Sequence, residues 1–214
     1  MWVNVSDLKV RYIIQSGFQL TKGNSTILID PADKKAGDIE GNLVYCTHRH
    51  YDHTGGIPSF MERNPEAILL TNEHVSKQFK QFADRTILAH DRESYHHGPW
   101  EFLFIKSKHG LINDLNLGVI VRNGDDSFGH CGDTVTFEGF SSTQLDTLAI
   151  PIAGIVTASP SRAILELRKF EHPLPTIVVM HWVIRNPYNF CERLSKEFPD
   201  ARCIVPEKGE LLPL

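Results

Sequence analysis

The chain has 214 residues, of which 41% are hydrophobic and 22% are charged, and its formal net charge is −4. This composition is typical of a globular protein, and the length predicts a single domain over 1–214. The charge excludes a general attraction to nucleic acid or to anionic membranes, and no apolar run reaches the roughly 18 residues of a membrane span.

The first third of the chain is predicted to be rich in strands. Alternating or wholly apolar residues predict four strands in this part, over 11–14, 18–20, 26–29 and 43–46. The third of these ends at Asp30-Pro31, and the fourth leads directly into a group of histidines. One helix is expected to begin at Ile57-Pro58, and a second is expected to run from an N-cap at Asn72 to about Phe82.

The rest of the chain alternates between strands and helices. Strands are predicted over 101–106, 117–122, 127–131, 148–150, 177–180, 203–205 and 210–212. The turn residues at 123–126 predict a hairpin between the second and third of these strands. Helices are expected from a cap at Ser159 to about Phe170, and over 189–198. Strands mixed with helices in this way favour an α/β (α+β) architecture in which helices cover sheets.

The chain has eleven histidines, and the most informative stretch is T-H-R-H-Y-D-H-T-G-G at 47–56. His48 and His50 are two residues apart, so in extended backbone both imidazoles point the same way and can hold one divalent metal. Asp52 and His53 follow where the chain turns, and they can face a second metal. A solvated polar loop is the alternative, but H-x-H-x-D-H directly after a buried strand favours metal binding. Imidazole and carboxylate ligands suit zinc, iron or manganese.

This stretch resembles the T-H-x-H-x-D-H motif of the metallo-β-lactamase superfamily, and the later motifs of that family follow in order. A histidine before a hairpin is matched by His109, an aspartate in a G-D-T turn by Asp133, and a histidine ending an apolar strand by His181. The early strand ending in Asp-Pro also matches. The chain most resembles the branch of small metal-dependent hydrolases that includes L-ascorbate-6-phosphate lactonase.

The resemblance implies a four-layer αββα sandwich with two divalent metal ions at the edge between its two sheets. His48, His50 and His109 would hold one metal, Asp52, His53 and His181 the other, and Asp133 would bridge them. Zinc is the first choice of metal, with manganese or iron as alternatives. A water shared by the two cations would have a pKa lowered toward neutrality and would be the nucleophile. Asp52 and His181 are the predicted catalytic residues, and Asp52 would orient that water.

Several of these residues have ordinary alternatives when taken alone. His109 could be a loop histidine, with His96-His97 as a nearby rival pair, Asp133 a turn aspartate, and His181 a core histidine. The other histidines are interpreted as surface, capping or supporting residues, with His130 closest to a predicted ligand; they are His74, His90, His130 and His172. Trp182 and Arg185 follow His181 and are candidates for substrate binding, with a surface arginine as the alternative for Arg185.

The predicted reaction is hydrolysis of a small ester, lactone or phosphodiester, with a small molecule as substrate. The best-known zinc β-lactamases carry cysteine at the position of Asp133, and flavodiiron proteins carry glutamate at that of His50, so neither chemistry is favoured. Persulfide dioxygenases and glyoxalase II enzymes share much of the ligand set and stay open. A nucleic-acid phosphodiesterase and a non-catalytic metal-binding module are the two further hypotheses. The sequence does not predict an oligomeric state.

The cysteines bear on the cellular compartment. They show no C-x-x-C pair and no framework spacing; they are Cys46, Cys131, Cys191 and Cys203. No signal-peptide pattern is present at the start of the sequence. Reduced thiols in a cytoplasmic protein are therefore expected.

Overall fold

The computed structural model describes residues 8–110, 114–182 and 184–214. In this part of the chain the first six strands form one sheet in their sequence order; they are β1 (Lys9–Ile14), β2 (Gly17–Lys22), β3 (Ser25–Ile29), β4 (Leu43–Cys46), β5 (Ile68–Thr71) and β6 (Thr86–Leu88). The first three pair antiparallel, and the last four pair parallel. β4 is buried at every position, as expected for a strand in the middle of a covered sheet.

The remaining strands form a second sheet in the order β13-β12-β11-β10-β9-β8-β7. They are β7 (Ser94–His97), β8 (Trp100–Lys108), β9 (Leu115–Asn123), β10 (Asp126–His130), β11 (Thr147–Pro151), β12 (Thr176–Met180) and β13 (Cys203–Ile204). Strands β7 to β10 pair antiparallel and β10 to β13 parallel. The predicted hairpin between β9 and β10 is confirmed.

Helices connect the parallel strands. They are α1 (Tyr51–Thr54), α2 (Ile57–Arg63), α3 (Glu73–Ser76), α4 (Glu138–Ser141), α5 (Pro160–Leu167) and α6 (Pro187–Glu197), with 3-10 turns at Lys34–Asp38 and Lys80–Arg85. The predicted cap at Ser159 is confirmed, because its side chain accepts a hydrogen bond from the backbone N–H of Arg162. Asn186 caps α6 in the same way. No helix within the described ranges is long and apolar enough to cross a membrane.

The layers follow from how strand side chains alternate. In β4, Leu43 and Tyr45 join the core between the sheets, whereas Val44 and Cys46 pack on the other face with Phe60 of α2. The Tyr45 ring lies 5.6 Å from that of Phe104 on the second sheet, and its hydroxyl donates to the carbonyl of Leu117. Helices α5 and α6 pack against the second sheet. The four-layer αββα sandwich is therefore confirmed, and it has the carboxyl ends of β4, β10 and β12 along one edge.

Some local predictions were wrong. The helix expected from Asn72 to about Phe82 stops at Ser76, and a 3-10 turn begins at Lys80; Phe79 and Phe82, on either side of that start, depart from helical geometry. The short strands β5, β6 and β7 were not predicted. The strand expected at 210–212 is reduced to one bridge between Arg11 and Leu211.

The expectation of four reduced cysteines is wrong for one pair. Cys191 and Cys203 form a disulfide, because the packing of α6 on β13 brings their Cα atoms to 5.5 Å. A separation of 12 residues gives no hint of this contact. Cys46 and Cys131 are free and buried, as expected.

Candidate metal centre

All seven predicted ligands converge at one edge between the sheets. β4 is followed by His48 and His50, and helix α1 carries Asp52 and His53. On the second sheet, His109 follows β8, Asp133 follows β10 and His181 follows β12. Residues far apart along the chain thus meet because parallel strands end at the same edge.

The first group consists of His48, His50, His109 and Asp133, each offering one ligand atom within 4.8 Å of the others. His48 Nε2 lies 3.1 Å from His50 Nδ1. The Nε2 atoms of His48 and His109 each lie 4.0 Å from Asp133 Oδ2. The side chains of His48, His109 and Asp133 are almost completely buried, and that of His50 is 31% exposed. These positions suit a cation enclosed on three sides by protein.

The second group consists of Asp52, His53 and His181, again with ligand atoms within 4.8 Å. Asp52 Oδ2 lies 3.0 Å from His181 Nε2 and 3.9 Å from His53 Nε2. His181 has a left-handed backbone with φ of 48°, a conformation that is costly for a residue other than glycine and often marks functional sites. The backbone N–H of His181 donates to the carbonyl of Gln15, which is also left-handed with φ of 63°.

Asp133 lies between the two groups. Its Oδ1 is 3.3 Å from His53 Nε2, and its Oδ2 is 3.5 Å from His181 Nε2. With the 4.0 Å distances to His48 and His109, one carboxylate contacts ligands of both groups. This is the position a bridging carboxylate requires.

Buried nitrogens without partners test whether a metal fits. Neither ring nitrogen of His109 has a hydrogen-bond partner among the described residues, and neither does Nδ1 of His181. Such a buried polar atom costs about 1–3 kcal/mol when nothing satisfies it. The donor set of nitrogen and oxygen atoms without thiolate suits zinc, manganese or iron. The residues present therefore fit a metal.

The charge states of His48 and Asp133 suit metal binding. Burial acts to lower the pKa of His53, but the carboxylates of Asp133 and Asp30 outweigh it and raise that pKa in the metal-free chain. Burial and the nearby His53 lower the pKa of His48 well below its usual value, so this imidazole is neutral. Burial acts to raise the pKa of Asp133, but the adjacent His53 outweighs it and holds that pKa below its usual range. Neutral imidazole and ionised carboxylate are the forms that bind metals.

Asp30 supports the cluster from behind. Its side chain is completely buried, with Oδ2 2.7 Å from His53 Nδ1, and it accepts from both the N–H and the hydroxyl of Thr47 at 2.7 Å. Thr47 Oγ1 in turn lies 3.0 Å from His48 Nδ1. An acceptor on the outer nitrogen fixes the orientation of an imidazole. Sequence reasoning noted Asp30-Pro31 at a strand end but could not name these acceptors.

Asp114 supports His50 on the other side. Its Oδ2 lies 3.3 Å from His50 Nε2, while its Oδ1 lies 2.8 Å from Arg49 Nε and 3.3 Å from His74 Nδ1. The carboxylate is thus placed to accept from His50 Nε2, which leaves Nδ1 of that ring to face His48. No sequence signal pointed to Asp114, because it lies far from His50 along the chain and in no distinctive motif.

Asn116 and Gly132 position the turn that carries Asp133. Asn116 Oδ1 accepts from the backbone N–H of Asp133 at 3.2 Å, and its amide donates to the carbonyl of Cys131 at 3.1 Å. Gly132 has a positive φ of 60°, and a Cβ there would collide with Asn116 Oδ1. Glycine in the G-D-T turn is therefore required by both conformation and space.

The remaining histidines are not placed as ligands. His130 Nδ1 accepts from the N–H of Gly132, so its Nε2 carries the proton and donates to the carbonyl of Ser16 at 2.8 Å. His96 and His97 lie on β7, an edge strand of the second sheet, and belong to none of the candidate clusters within the described residues. The rival to His109 is thereby removed.

The two predicted substrate-binding residues differ in their surroundings. Trp182 stacks on Tyr12 at 5.9 Å and lines a pocket of about 450 Å³ that His181 also borders. Arg185 is exposed, and its Nε donates to the carbonyl of Ala153 at 3.2 Å. Arg185 is not among the residues that line the pocket.

Comparison with known proteins agrees with this fold. The family described as "Beta-lactamase superfamily domain" matches residues 11–182, a range that contains all seven candidate ligands. A metal-dependent hydrolase from Metallosphaera sedula is 25% identical over 92% of this chain and 96% of its own length. A metallo hydrolase from Ignicoccus hospitalis superposes with a TM-score of 0.80 at 22% identity, covering 96% of this chain and 97% of the other. A metallo-β-lactamase fold protein from Bacillus subtilis gives 0.80 at 14% identity, covering 96% and 98%.

Proposed function

Because the chain belongs to the β-lactamase superfamily domain family, we propose that it is a metal-dependent hydrolase with two metal sites. His48, His50 and His109 would hold one cation and Asp52, His53 and His181 the other, and Asp133, which contacts ligands of both groups, would be shared between them. Relatives over nearly the whole chain bear the name metal-dependent hydrolase, which supports the proposed class of reaction.

One observation carries this proposal. Ligand atoms from four strand ends gather into groups whose members lie within 4.8 Å of one another, and the nitrogens of His109 have no hydrogen-bond partner among the described residues. A folded protein rarely leaves such groups without a partner. Coordination to a metal provides that partner for His109. It does the same for one ring nitrogen, Nδ1 or Nε2, of each neighbouring imidazole.

The residues of the site then have separate roles in the reaction. When bound, the two divalent cations supply Lewis acidity, which polarises the scissile group and lowers the pKa of water in the site. Asp52 is the carboxylate of the cluster that solvent reaches, since its side chain is 43% exposed. Burial acts to raise the pKa of Asp52, but the hydrogen bond from His181 outweighs it and holds this pKa low. Ionised Asp52 would therefore accept a hydrogen bond from the attacking water and orient it.

The substrate is a small ester, lactone or phosphodiester. A nucleic-acid phosphodiesterase requires a basic groove beside the metals. In the part of the chain that the structure describes, the pockets next to the cluster contribute Arg49 and Lys208 as cations. Both already contact carboxylates, Asp114 at 2.8 Å and Asp33 at 3.5 Å. The nucleic-acid alternative is therefore not favoured.

The test combines metal analysis with a substrate screen. We expect about two equivalents of metal per chain after purification without chelator, and hydrolysis of a member of an ester, lactone and phosphodiester panel. His109→Ala should lower both the metal content and the activity. His172→Ala, at an exposed histidine on the loop before β12, is the matched control.

A metal-loaded protein that is inactive on the whole panel would contradict the proposal and favour a non-catalytic metal-binding module. A folded protein that takes up no metal would contradict both.

A further inference from the structure

A pocket of about 450 Å³ lies beside the metal centre, between the start of the chain and its end. It is bordered by the turn after β1, by His181 and Trp182 after β12, by the first turn of α6, and by the segment after β13. This volume is within the range of pockets that hold small ligands. Apart from His181, none of the residues that line this pocket belongs to the metal centre.

The inner wall of the pocket is continuous with the centre. His181 borders the pocket and, through its ring, contacts Asp52 and Asp133. The strained pair Gln15 and His181, joined by a backbone hydrogen bond of 3.0 Å, forms the boundary between the two. A ligand in the pocket therefore contacts His181, one of the proposed metal ligands.

The lining is mostly apolar. Tyr12 and Trp182 form one stacked aromatic wall, and aliphatic, proline and aromatic side chains complete it; they are Ile14, Pro187, Tyr188, Val205 and Pro206. Tyr188 lines the pocket and is 64% exposed, so part of its ring is open to solvent. Apolar surface of this kind binds apolar groups by releasing water.

The charged residues of the pocket lie at its rim. Glu207 and Lys208 are exposed, and Lys208 Nζ lies 3.5 Å from the Asp33 carboxylate on a neighbouring loop. The other polar groups of the lining are the amide of Gln15, the imidazole of His181, and the polar atoms of Tyr12 and Trp182. No buried cation or anion within the described residues is placed to recognise a phosphate, a carboxylate or a sugar-like array of hydroxyls in this pocket.

Two walls of the pocket are also tied together covalently. Tyr188 lies three residues before Cys191 on α6, and Val205 lies two residues after Cys203, and these two cysteines form the disulfide. The walls that carry Tyr188 and Val205 are therefore held at a fixed separation. A preformed pocket loses less entropy on binding than one that must be assembled.

We propose that this pocket binds an apolar group, of the size of a phenyl ring or a short branched alkyl chain, on the substrate. The inference rests on the proposed hydrolase function, and it narrows the substrate to small molecules with an apolar body next to the hydrolysed bond. Sugar phosphates have no such group.

The experiment compares paired substrates on the metal-loaded full chain. Each pair shares its scissile group and leaving group, as an ester, a lactone or a phosphodiester, and one member carries a methyl group where the other carries a phenyl group. We expect kcat/KM for the phenyl member to exceed that for the methyl member by roughly tenfold or more, since one methylene in an apolar pocket is worth at least about this factor. Equal kcat/KM for both members would overturn the inference.

Substitutions in the pocket test whether it is the source of the preference for the phenyl substrate. Val205→Asp places a charge in the lining and should abolish the phenyl preference without changing the metal content. Leu165→Asp, at a 47% exposed position on α5, is the matched control and should keep it. If Val205→Asp does not fold, Tyr188→Ala at the exposed mouth should reduce the preference several-fold. A preference unchanged in Tyr188→Ala and Val205→Asp would overturn the inference.

A separate readout distinguishes failure of the pocket from failure of the hydrolase. Binding of 3-phenylpropan-1-ol, which has no hydrolysable bond, is measured by saturation-transfer NMR on the metal-loaded protein. Saturable binding that Val205→Asp removes supports the pocket even if no panel member is hydrolysed. Hydrolysis without any binding of this alcohol would overturn the pocket alone.

Discussion

His53 and His109 are both buried imidazoles of the same cluster, yet the protein treats them differently. His53 lies 2.7 Å from Asp30 on one nitrogen and 3.3 Å from Asp133 on the other, so the folded chain holds it without help. His109 has no hydrogen-bond partner on either nitrogen within the described residues. The half of the cluster built on β4 and α1 is thus preorganised by the protein, whereas we expect the half delivered by β8 to be completed by metal.

The largest effect on metal binding and activity is expected at Asp133, where the two halves of the cluster meet. Asp133→Ala removes the carboxylate that contacts ligands of both groups, so binding should fall at both metal sites and kcat/KM should fall by more than about 100-fold, beyond the range for outer positions. Metal analysis and steady-state kinetics measure this. Asp125→Ala, at an exposed turn residue between β9 and β10, is the control. Loss of only one metal would show that Asp133 does not bridge.

A substitution in the half of the cluster that the protein holds in place should lower the stability of the metal-free protein. Asp30→Ala leaves His53 and Thr47 without their buried partner, and we expect the metal-free protein to lose about 3–5 kcal/mol of unfolding free energy. Urea unfolding in the presence of a chelator measures this. Asp38→Ala, an exposed acid in the same loop, should change little. An Asp30→Ala protein as stable as the parent would contradict the idea that this half is preorganised.

The metal-completed half should show the reverse pattern. His109→Leu removes two unpartnered nitrogens and keeps an apolar side chain, so the metal-free protein should be as stable as the parent or slightly more stable. Its affinity for the first metal should fall by about 100-fold, because one of the proposed ligands is lost. Unfolding with and without metal measures both. If His109→Leu destabilises the metal-free protein by more than about 2 kcal/mol, this nitrogen pair has a protein partner after all.

The smallest effect is expected at Asp114. Asp114→Asn weakens the orientation of His50 but leaves its Nδ1 free to bind, so metal affinity at the first site should fall by about tenfold, at the low end for outer positions. A titration with competing chelator measures the affinity. The unfolding free energy of the metal-free protein serves as control and should change by less than about 1 kcal/mol, because Arg49 is half exposed and its ion pair is weak. If the free energies of metal binding and of unfolding fall by the same amount, Asp114 stabilises the fold and does not act on the metal site by orienting His50.

The order of motifs along the chain predicted which strand ends carry the candidate ligands. His48 and His50 follow a wholly apolar strand, and such a strand reads clearly as the middle of a covered sheet. His109, Asp133 and His181 each follow a strand of the second sheet, which the apolar runs also predicted. Convergence of the seven side chains then follows from the αββα architecture.

The supporting residues could not be predicted in the same way. Asp114 and Asn116 reach the cluster through contacts between segments that lie far apart in sequence, and neither is in a distinctive motif. The disulfide depends on the packing of α6 against β13. The helix was expected to continue to Phe82, but it ends earlier. A local apolar pattern does not indicate where the chain must turn back toward the sheet. Strands β5 to β7 are short, and short runs carry little periodicity.

The disulfide has a consequence for the edge of the second sheet. β13 has two residues and pairs with β12 at only two positions, so this edge strand is held by few ladder hydrogen bonds and will fray readily. A cross-link across 12 residues removes chain entropy from the unfolded state worth about 3 kcal/mol in the loop-closure model. When β13 detaches, the bond between Cys203 and Cys191 keeps this strand beside α6. Further along the chain, backbone hydrogen bonds join Gly209, Glu210 and Leu212 to Val10 and Tyr12 of β1, so the end of the chain is held on the first sheet even where the disulfide is reduced.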